Sequence, residues 1–402
     1  MLHPLSATYL ADPYATHEKL RTEQPVFFDT ELNMWLITRR QEIETVFKDS
    51  KTFSNALTTA PIFQLCPHAG QILSQLSGGS MVSLDPPDHT RVRKAIASVF
   101  PMTLAQAEEY EPIIRTAVDK LTKNLATKSN VDLVPEFTWE LPIIVILALL
   151  NVPKEDVKQI KKWADGRLAI TWGNAPEEDQ VKAAYGMVYF WEYCLQLVGK
   201  RVKEPGTDLV SKLLNYRQGR DEIVTIHEIA SMIFSLLIAG HETTSNLISN
   251  GVYRLLQKNA WNQLVNDPEK ISKAIEEILR FDSPVVCWQR YTAKEATIGD
   301  VTIPKGERVL LLLGSANRDE TKFENPNEFD LERENAHEHL SFGKGRHFCI
   351  GASLARLEAK IALKALLTTF PKMRLADSFQ PTYVPNVAFR MLQSLPVILA
   401  DE

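Results

Sequence analysis

Cysteine is scarce in this chain: four residues, Cys66, Cys194, Cys287 and Cys349, with no pairing pattern. That excludes a disulfide framework and fits a reducing, cytoplasmic setting. Long apolar runs are missing too. The longest, Leu141 to Leu150, contains Pro142 and falls far short of the roughly 20 residues that a membrane span needs. No basic run followed by an apolar stretch opens the chain, which excludes a typical signal peptide and an N-terminal anchor. Neither sign of charge dominates. Lys and Arg number 45 against 50 Asp and Glu, a net charge of −5, so nothing argues for nucleic acid or an anionic membrane as partner. Internal repeats, low-complexity tracts and long Gly/Ser/Pro linkers are absent as well. Residues 1–402 are therefore expected to form one domain. The chain ends at Glu402 just after an expected strand, so no fused reductase is expected.

Helical periodicity dominates what remains. From about residue 102 to 200, apolar positions recur three and four apart, with Pro or Asn at the breaks. The longest helix is predicted from Thr225 to about Asn259, opened by Thr225 and Glu228 as a capping box. About 33 residues at ~1.5 Å rise make a rod of ~50 Å. Its stretch from Met232 to Gly240 is apolar nearly all round, the pattern of a helix buried at the centre. A second helix is predicted from Asp267-Pro268, read as N-cap and first helical position, through Arg280. A third begins just after Cys349 and reaches about Thr369. Strands are fewer: Pro25–Phe28 and Met34–Thr38 around a polar turn, then Ala296–Ile303 and Arg308–Leu313 around Pro304-Lys305-Gly306. The expected class is mainly α with a minor β portion.

The most specific segment runs from Ser341 to Gly351 and reads SFGKGRHFCIG. Two glycines before Cys349 and one after it permit a tight loop that brings backbone close to a flat ligand. Helical sequence follows at once, so the sulfur sits at a helix N-terminus, where dipole and free amides favour a thiolate. Such a thiolate, bound to haem iron, pushes electron density onto it and promotes O–O cleavage. Zinc would need a fuller set of ligands than His347 and Cys349 supply.

With this loop in hand, the chain resembles the cytochrome P450 family, and the likeness runs over essentially its whole length. Phe342, Gly343, Gly345, His347, Cys349 and Gly351 reproduce the family's cysteine-loop signature. Glu277 and Arg280 stand as its Glu-x-x-Arg pair, one helix turn apart. Arg333 best matches the arginine that completes a buried triad with them, since a planar guanidinium holds a carboxylate by two bonds. For the haem propionates the resemblance implies His89 and Arg93, in the run Asp85-Pro86-Pro87-Asp88-His89, together with Arg290 and His347. Taken alone, Arg290 would read as a surface arginine. Within Ala239-Gly240-His241-Glu242-Thr243-Thr244, the resemblance implies Ala239 beside the haem and Glu242 and Thr243 as the acid–alcohol pair over the iron. Gly240 would let oxygen approach the backbone, and a threonine hydroxyl there would open a local kink.

The resemblance implies a P450 fold with a long central helix over haem b. It implies a monooxygenase that oxidises a small organic, mostly apolar substrate with dioxygen. Two electrons would come from a separate ferredoxin or flavodoxin with its NAD(P)H reductase, docking near Lys344, Arg346, Arg91 and Lys94. Lesser candidates stay open at this point. Cys287 and Trp172 either face the substrate path or pack in the core. Residues 54–82, with Ile62, Phe63 and Leu65, are expected to form the loop over the distal pocket, and the segment Asn386–Phe389 is expected near it. Cys66-Pro67-His68 reads as a loop rather than a metal site.

Overall fold

Residues 3–76, 80–164 and 166–399 are described by the computed structural model of the chain. The central helix spans Ile226–Gln257, and its start is set where the capping pair predicts. Thr225 Oγ1 accepts the Glu228 N–H at 3.0 Å and Glu228 Oε2 accepts the Thr225 N–H at 2.8 Å. The helix is buried on nearly all faces because three others enclose it: Glu140–Leu149, Glu177–Lys203 and Ala352–Thr369. The first of these is the apolar run itself. Pro142 lies in its first turn, where a backbone N–H would have no intrahelical partner anyway. Helix Glu177–Lys203 carries Glu177, Glu178 and Asp179 in its first turn and Lys200, Arg201 and Lys203 in its last, matching the helix dipole.

The main sheet is built from Val26–Asp29 (β1), Met34–Ile37 (β2), Phe53–Ser54 (β3), Trp288–Thr292 (β4) and Arg308–Leu311 (β5), in the order β1-β2-β5-β4-β3. The β1–β2 hairpin pairs Val26 with Ile37 and Asp29 with Met34, as its sequence suggests. Asp29 Oδ1 accepts the N–H groups of Glu31 and Leu32, and Asn33 takes the left-handed conformation at φ 51°.

Four expectations need correction. Ala296–Ile303 is not one strand but a small hairpin, Ala296–Ile298 against Val301–Ile303, turning at left-handed Gly299. Strand β5 does not pair with it. Val309, Leu310 and Leu311 are fully buried, so β5 sits mid-sheet, parallel to β2 and antiparallel to β4. Asp267 accepts no capping hydrogen bond; its carboxylate lies 3.6 Å from Lys270, and a 3-10 turn precedes the helix Ile271–Phe281. Segment 54–82 is only partly loop, because Pro67–Leu73 forms a helix capped by Cys66 Sγ, which accepts from Ala69 N at 3.5 Å. Residues 77–79 of that segment lie outside the described residues.

Asp282, just past helix Ile271–Phe281, ties the ends of the chain to the central helix. It is fully buried and accepts from Arg254 Nε at 2.8 Å, Arg390 Nε at 3.1 Å and the Tyr14 hydroxyl at 2.7 Å. Burial alone would raise its pKa, but the two guanidiniums and the Tyr14 O–H outweigh it and hold the carboxyl well below the usual range. Asp282→Asn should cost ~3–5 kcal/mol, because two buried arginines lose their counter-charge. A folded-state pKa below the unfolded value means this stability is complete above about pH 4 and declines as pH falls further, by ~1.4 kcal/mol per unit. The difference between wild type and Asp282→Asn in denaturant melts should therefore shrink below about pH 4; a pH-independent difference would refute the assignment.

Candidate active site: a cysteine facing an acid–alcohol pair

The cysteine loop needs its glycines at two places. Gly343 and Gly345 are left-handed, at φ 70° and 75°. A Cβ on Gly345 would also stand 2.8 Å from the Phe47 carbonyl oxygen. Gly351 differs: its φ is −85° and a Cβ there would meet Cys349 Sγ at an ordinary 3.9 Å, so neither strain nor crowding demands glycine. The loop closes through Cys349 N–H to the Phe342 carbonyl at 2.9 Å and Phe348 N–H to the Gly345 carbonyl at 3.1 Å. Cys349 Sγ opens onto a cavity rather than bulk water. Enclosure pushes its pKa up, against the pull of the Gly351 and Ala352 amides and of Arg93 and Arg356. The helix terminus therefore favours the thiolate, as expected, but does not secure it alone; a cation bound to sulfur would.

Beside the cysteine, one rim of the cavity is cationic. The rings of His89 and His347 stack at 3.8 Å, and the Nε2 atom of each is buried without a hydrogen-bond partner. Arg93 Nη2 donates to the Phe348 carbonyl at 2.7 Å. Arg290, buried over the Phe47 ring, donates to the Gln289 carbonyl at 2.8 Å. Burial brings Arg290 down to about 10 and, with the repulsion of His89, brings His347 to about 3. Two unsatisfied imidazole nitrogens and two desolvated guanidiniums suit a planar group that carries two carboxylates. Asp85 keeps the rim ordered, accepting from Ser54 Oγ, from Asn55 N at 3.0 Å and from Asn55 Nδ2 at 3.0 Å. Sequence reasoning quoted Asp85 without giving it this task.

Across the cavity stands the central helix with Ala239, Gly240, Glu242, Thr243 and Thr244 on the lining. Thr243 Oγ1 donates to the Ala239 carbonyl at 2.8 Å, and the helix assignment is continuous through this point. Gly240 serves packing, since a Cβ would come within 3.3 Å of Ile146. His241 turns away and bonds the Trp139 carbonyl at 2.9 Å. The remaining lining is mostly apolar, including Val82, Leu236, Val285, Trp288 and Phe389.

Glu277, Arg280 and Arg333 meet away from the cavity. Arg280 binds Glu277 with two bonds of 2.7 Å, and Arg333 Nε lies 3.3 Å from Glu277 Oε2. Phe342 packs under Cys349 with the Arg356 guanidinium over its ring at 4.5 Å. Of the lesser candidates, Phe389 lines the cavity, whereas Ile62, Phe63, Leu65 and Asn386 do not; Met81 and Val82 take that place in the 54–82 segment. Trp172 is packed, stacked on Trp288 at 5.6 Å, and Cys287 is fully buried beside Val286. Two cavity groups escaped sequence reasoning, Arg167 and Glu358. Glu358 is buried, its Oε2 has no partner, and burial pushes its pKa well above the usual carboxylate range. Neither carries a motif. Among the described residues no His, Cys, Asp or Glu cluster could hold a metal, and no helix is long and apolar enough to cross a membrane.

A glycine-turned cysteine loop, a cationic rim and a buried helix with an acid and an alcohol define a haem-thiolate protein. The chain belongs to the cytochrome P450 family. The sequence model described as Cytochrome P450 matches residues 269–387. Cytochrome P450 107B1 of Saccharopolyspora erythraea is 40% identical over 372 residues, 91% of this chain and 89% of that one. The biotin biosynthesis cytochrome P450 of Bacillus subtilis is 37% identical over 405 residues, 98% of this chain and 97% of that one. The solved structure of cytochrome P450 CREJ in complex with (4-ethylphenyl) dihydrogen phosphate superposes with a TM-score of 0.93 at 38% identity, covering 97% of this chain and 98% of that one. The fold is the P450 fold, the cofactor of the family is haem b, and the enzyme class is monooxygenase.

Gly345→Ala should destabilise the loop by ~1–3 kcal/mol, the cost of a left-handed non-glycine residue, before the clash with Phe47 is counted. Thermal melts and haem content measured together should both fall; an unchanged haem content with a normal melt would show that the loop tolerates a side chain.

Proposed function

We propose that this monooxygenase oxidises a small, mostly apolar organic molecule held between Cys349 and the central helix, using dioxygen and two electrons from a separate redox partner. The observation that carries the reading is Glu242 and Thr243 standing opposite Cys349 on a mostly apolar lining. Haem held by the Cys349 thiolate supplies the oxygen-activating chemistry. His89, Arg93, Arg290 and His347 would hold its propionates, with Ala239, Phe342 and Gly351 against its faces. Glu277, Arg280 and Arg333 keep the supporting chain in place. The molecule in the solved CREJ complex, (4-ethylphenyl) dihydrogen phosphate, joins an apolar aryl part to a phosphate, and the apolar part is of the kind such a lining suits.

Thr243 places a hydroxyl at the helix surface facing the reaction, and Glu242 moves protons inward as a general acid. A haem sensor would have no use for that pair, and a peroxide-driven enzyme typically lacks it. Electrons would arrive at the face under Cys349, where Phe348 is 43% exposed beside Arg346. The wider basic cluster is less available than expected: Lys344 pairs with Glu44 at 2.6 Å and Arg91 with Glu228 at 2.6 Å. A ferredoxin or flavodoxin would therefore meet Arg346 and Phe348 first.

Replacing Cys349 with His should abolish the thiolate-type carbon monoxide band of the reduced protein, and survival of that band would overturn the ligand assignment. Turnover with dioxygen and a surrogate ferredoxin system, set against peroxide alone, tests the monooxygenase cycle. Thr243→Ala should keep a normal haem spectrum and continue to consume reductant while yielding less product and more hydrogen peroxide. Glu242→Ala should instead slow oxygen consumption, by about 10²-fold if general-acid catalysis is lost. Full coupling in Thr243→Ala would remove the hydroxyl from the proposed role.

A further inference from the structure

Arg167 is a charge in a place built for apolar contact. It opens the short helix Arg167–Thr171 after Gly166, which is left-handed at φ 81°. The mount is rigid. A Cβ on Gly166 would lie 3.1 Å from Ala183 Cβ, the Thr171 carbonyl accepts from Ile62 N at 2.9 Å, and the Trp172 carbonyl accepts from Val387 N at 2.9 Å. Helix Glu177–Lys203 then backs this segment onto the central helix. Arg167 therefore faces the cavity from the side of Glu242, opposite Cys349.

The other charges on the lining are accounted for. Arg93 and Arg290 belong to the rim beside His347 and Glu242 to the proton path, and burial disfavours the charged form of Glu358. Among the described residues Arg167 donates no hydrogen bond, and the charge that favours its ionised form is that of Glu242. Enclosure weakens its hold on the proton, yet a guanidinium remains ionised at any working pH. Five N–H donors exceed what one carboxylate at a distance can satisfy. Arg167 lines the cavity, and among the described residues no hydrogen-bond acceptor reaches it, so a molecule bound there can supply one.

We infer that Arg167 is a specificity-determining residue that takes the anionic head, carboxylate or phosphate, of an otherwise apolar substrate. Either oxyanion meets the planar fork with two parallel bonds. The apolar tail then lies among Leu236, Val285 and Phe389, and the carbon brought near Cys349 is one remote from the anion. This rests on the proposed reading of the cavity as the substrate site.

The test titrates the haem-loaded enzyme with dodecanoate, dodecyl phosphate and 1-dodecanol, reading displacement of iron-bound water as the Soret shift. Wild type should bind at least one anion tenfold or more tighter than the alcohol, and which anion wins identifies the head group. Arg167→Met should weaken that anion 10- to 100-fold and leave the alcohol within about twofold, with Arg167→Lys restoring part of the difference. All three proteins should keep the thiolate carbon monoxide band. No anion preference in wild type overturns the inference, whether or not the variants fold. So does an unchanged preference in Arg167→Met accompanied by slower oxygen consumption, which would make the arginine a counter-charge for Glu242 only. Loss of the thiolate band in wild type would instead strike the monooxygenase reading itself.

Discussion

Glu277 is 1% exposed and binds two arginines, and the irregular chain leading to the cysteine depends on what those arginines do with their other donors. Arg280 donates to the carbonyls of Asn317, Pro326 and Glu328, at 3.1, 2.9 and 2.9 Å. Arg333 donates to the carbonyls of Glu324, Asn325 and Glu328, at 2.6, 3.1 and 3.3 Å. From 317 to 341 there is little helix or strand, so these carbonyls have no ladder to join; the one at Asn317 is buried and would cost ~1–3 kcal/mol without a partner. The carboxylate orients the two guanidiniums, which in turn act as the missing backbone partners. Asn317 carries the arrangement on, accepting from Leu340 N and donating to Ser341 Oγ, which donates to the Leu279 carbonyl. The first residue of the cysteine loop is thus tied back to the helix that holds Glu277.

The same logic, a buried carboxylate shared by two arginines, recurs five residues later at Asp282. There it fastens Tyr14, Arg254 and Arg390, so that the N-terminal segment, the central helix and the C-terminal segment meet at one group. Arg318 adds aromatic contacts at 3.5 Å to Tyr14 and 3.8 Å to Phe281. Both carboxylates lie on or just after helix Ile271–Phe281. That helix therefore fixes the cysteine loop through Glu277 and the central helix through Asp282, and the spacing of sulfur from Thr243 follows from one rigid element.

Legibility in the sequence followed the range of the physics involved. The central helix announced itself through local signals, a capping pair and an all-round apolar stretch, and so did the hairpin at residues 26–37. Strand β5 misled because a turn at Pro304-Lys305-Gly306 says where the chain bends, not which neighbour it reaches; its partners β2 and β4 are set by burial on both faces. Glu-x-x-Arg gained meaning only beside the cysteine loop, and Asp282 had no motif because its partners lie 28, 108 and 268 positions away. Arg167 was invisible for the same reason. A lone arginine before Leu168, Ala169 and Ile170 reads as an exposed helix start, and only the packing of Gly166 on Ala183 turns it inward.

Charge is distributed unevenly across the cavity, and that asymmetry orders how it is filled. The rim of His89, Arg93, Arg290 and His347 is electropositive and poorly solvated, so it favours a group that carries two carboxylates. Once those charges are answered, the lining that remains is apolar apart from Glu242, Arg167, Glu358 and the Thr243 and Thr244 hydroxyls. Burial disfavours the charged form of Glu358. Glu242 and Arg167 both line the cavity, and the Glu242 charge favours the ionised form of Arg167. A ligand that binds there changes the surroundings of the acid as well as its own. On the proposed roles of Arg167 and Glu242, substrate recognition and proton supply would share one electrostatic neighbourhood.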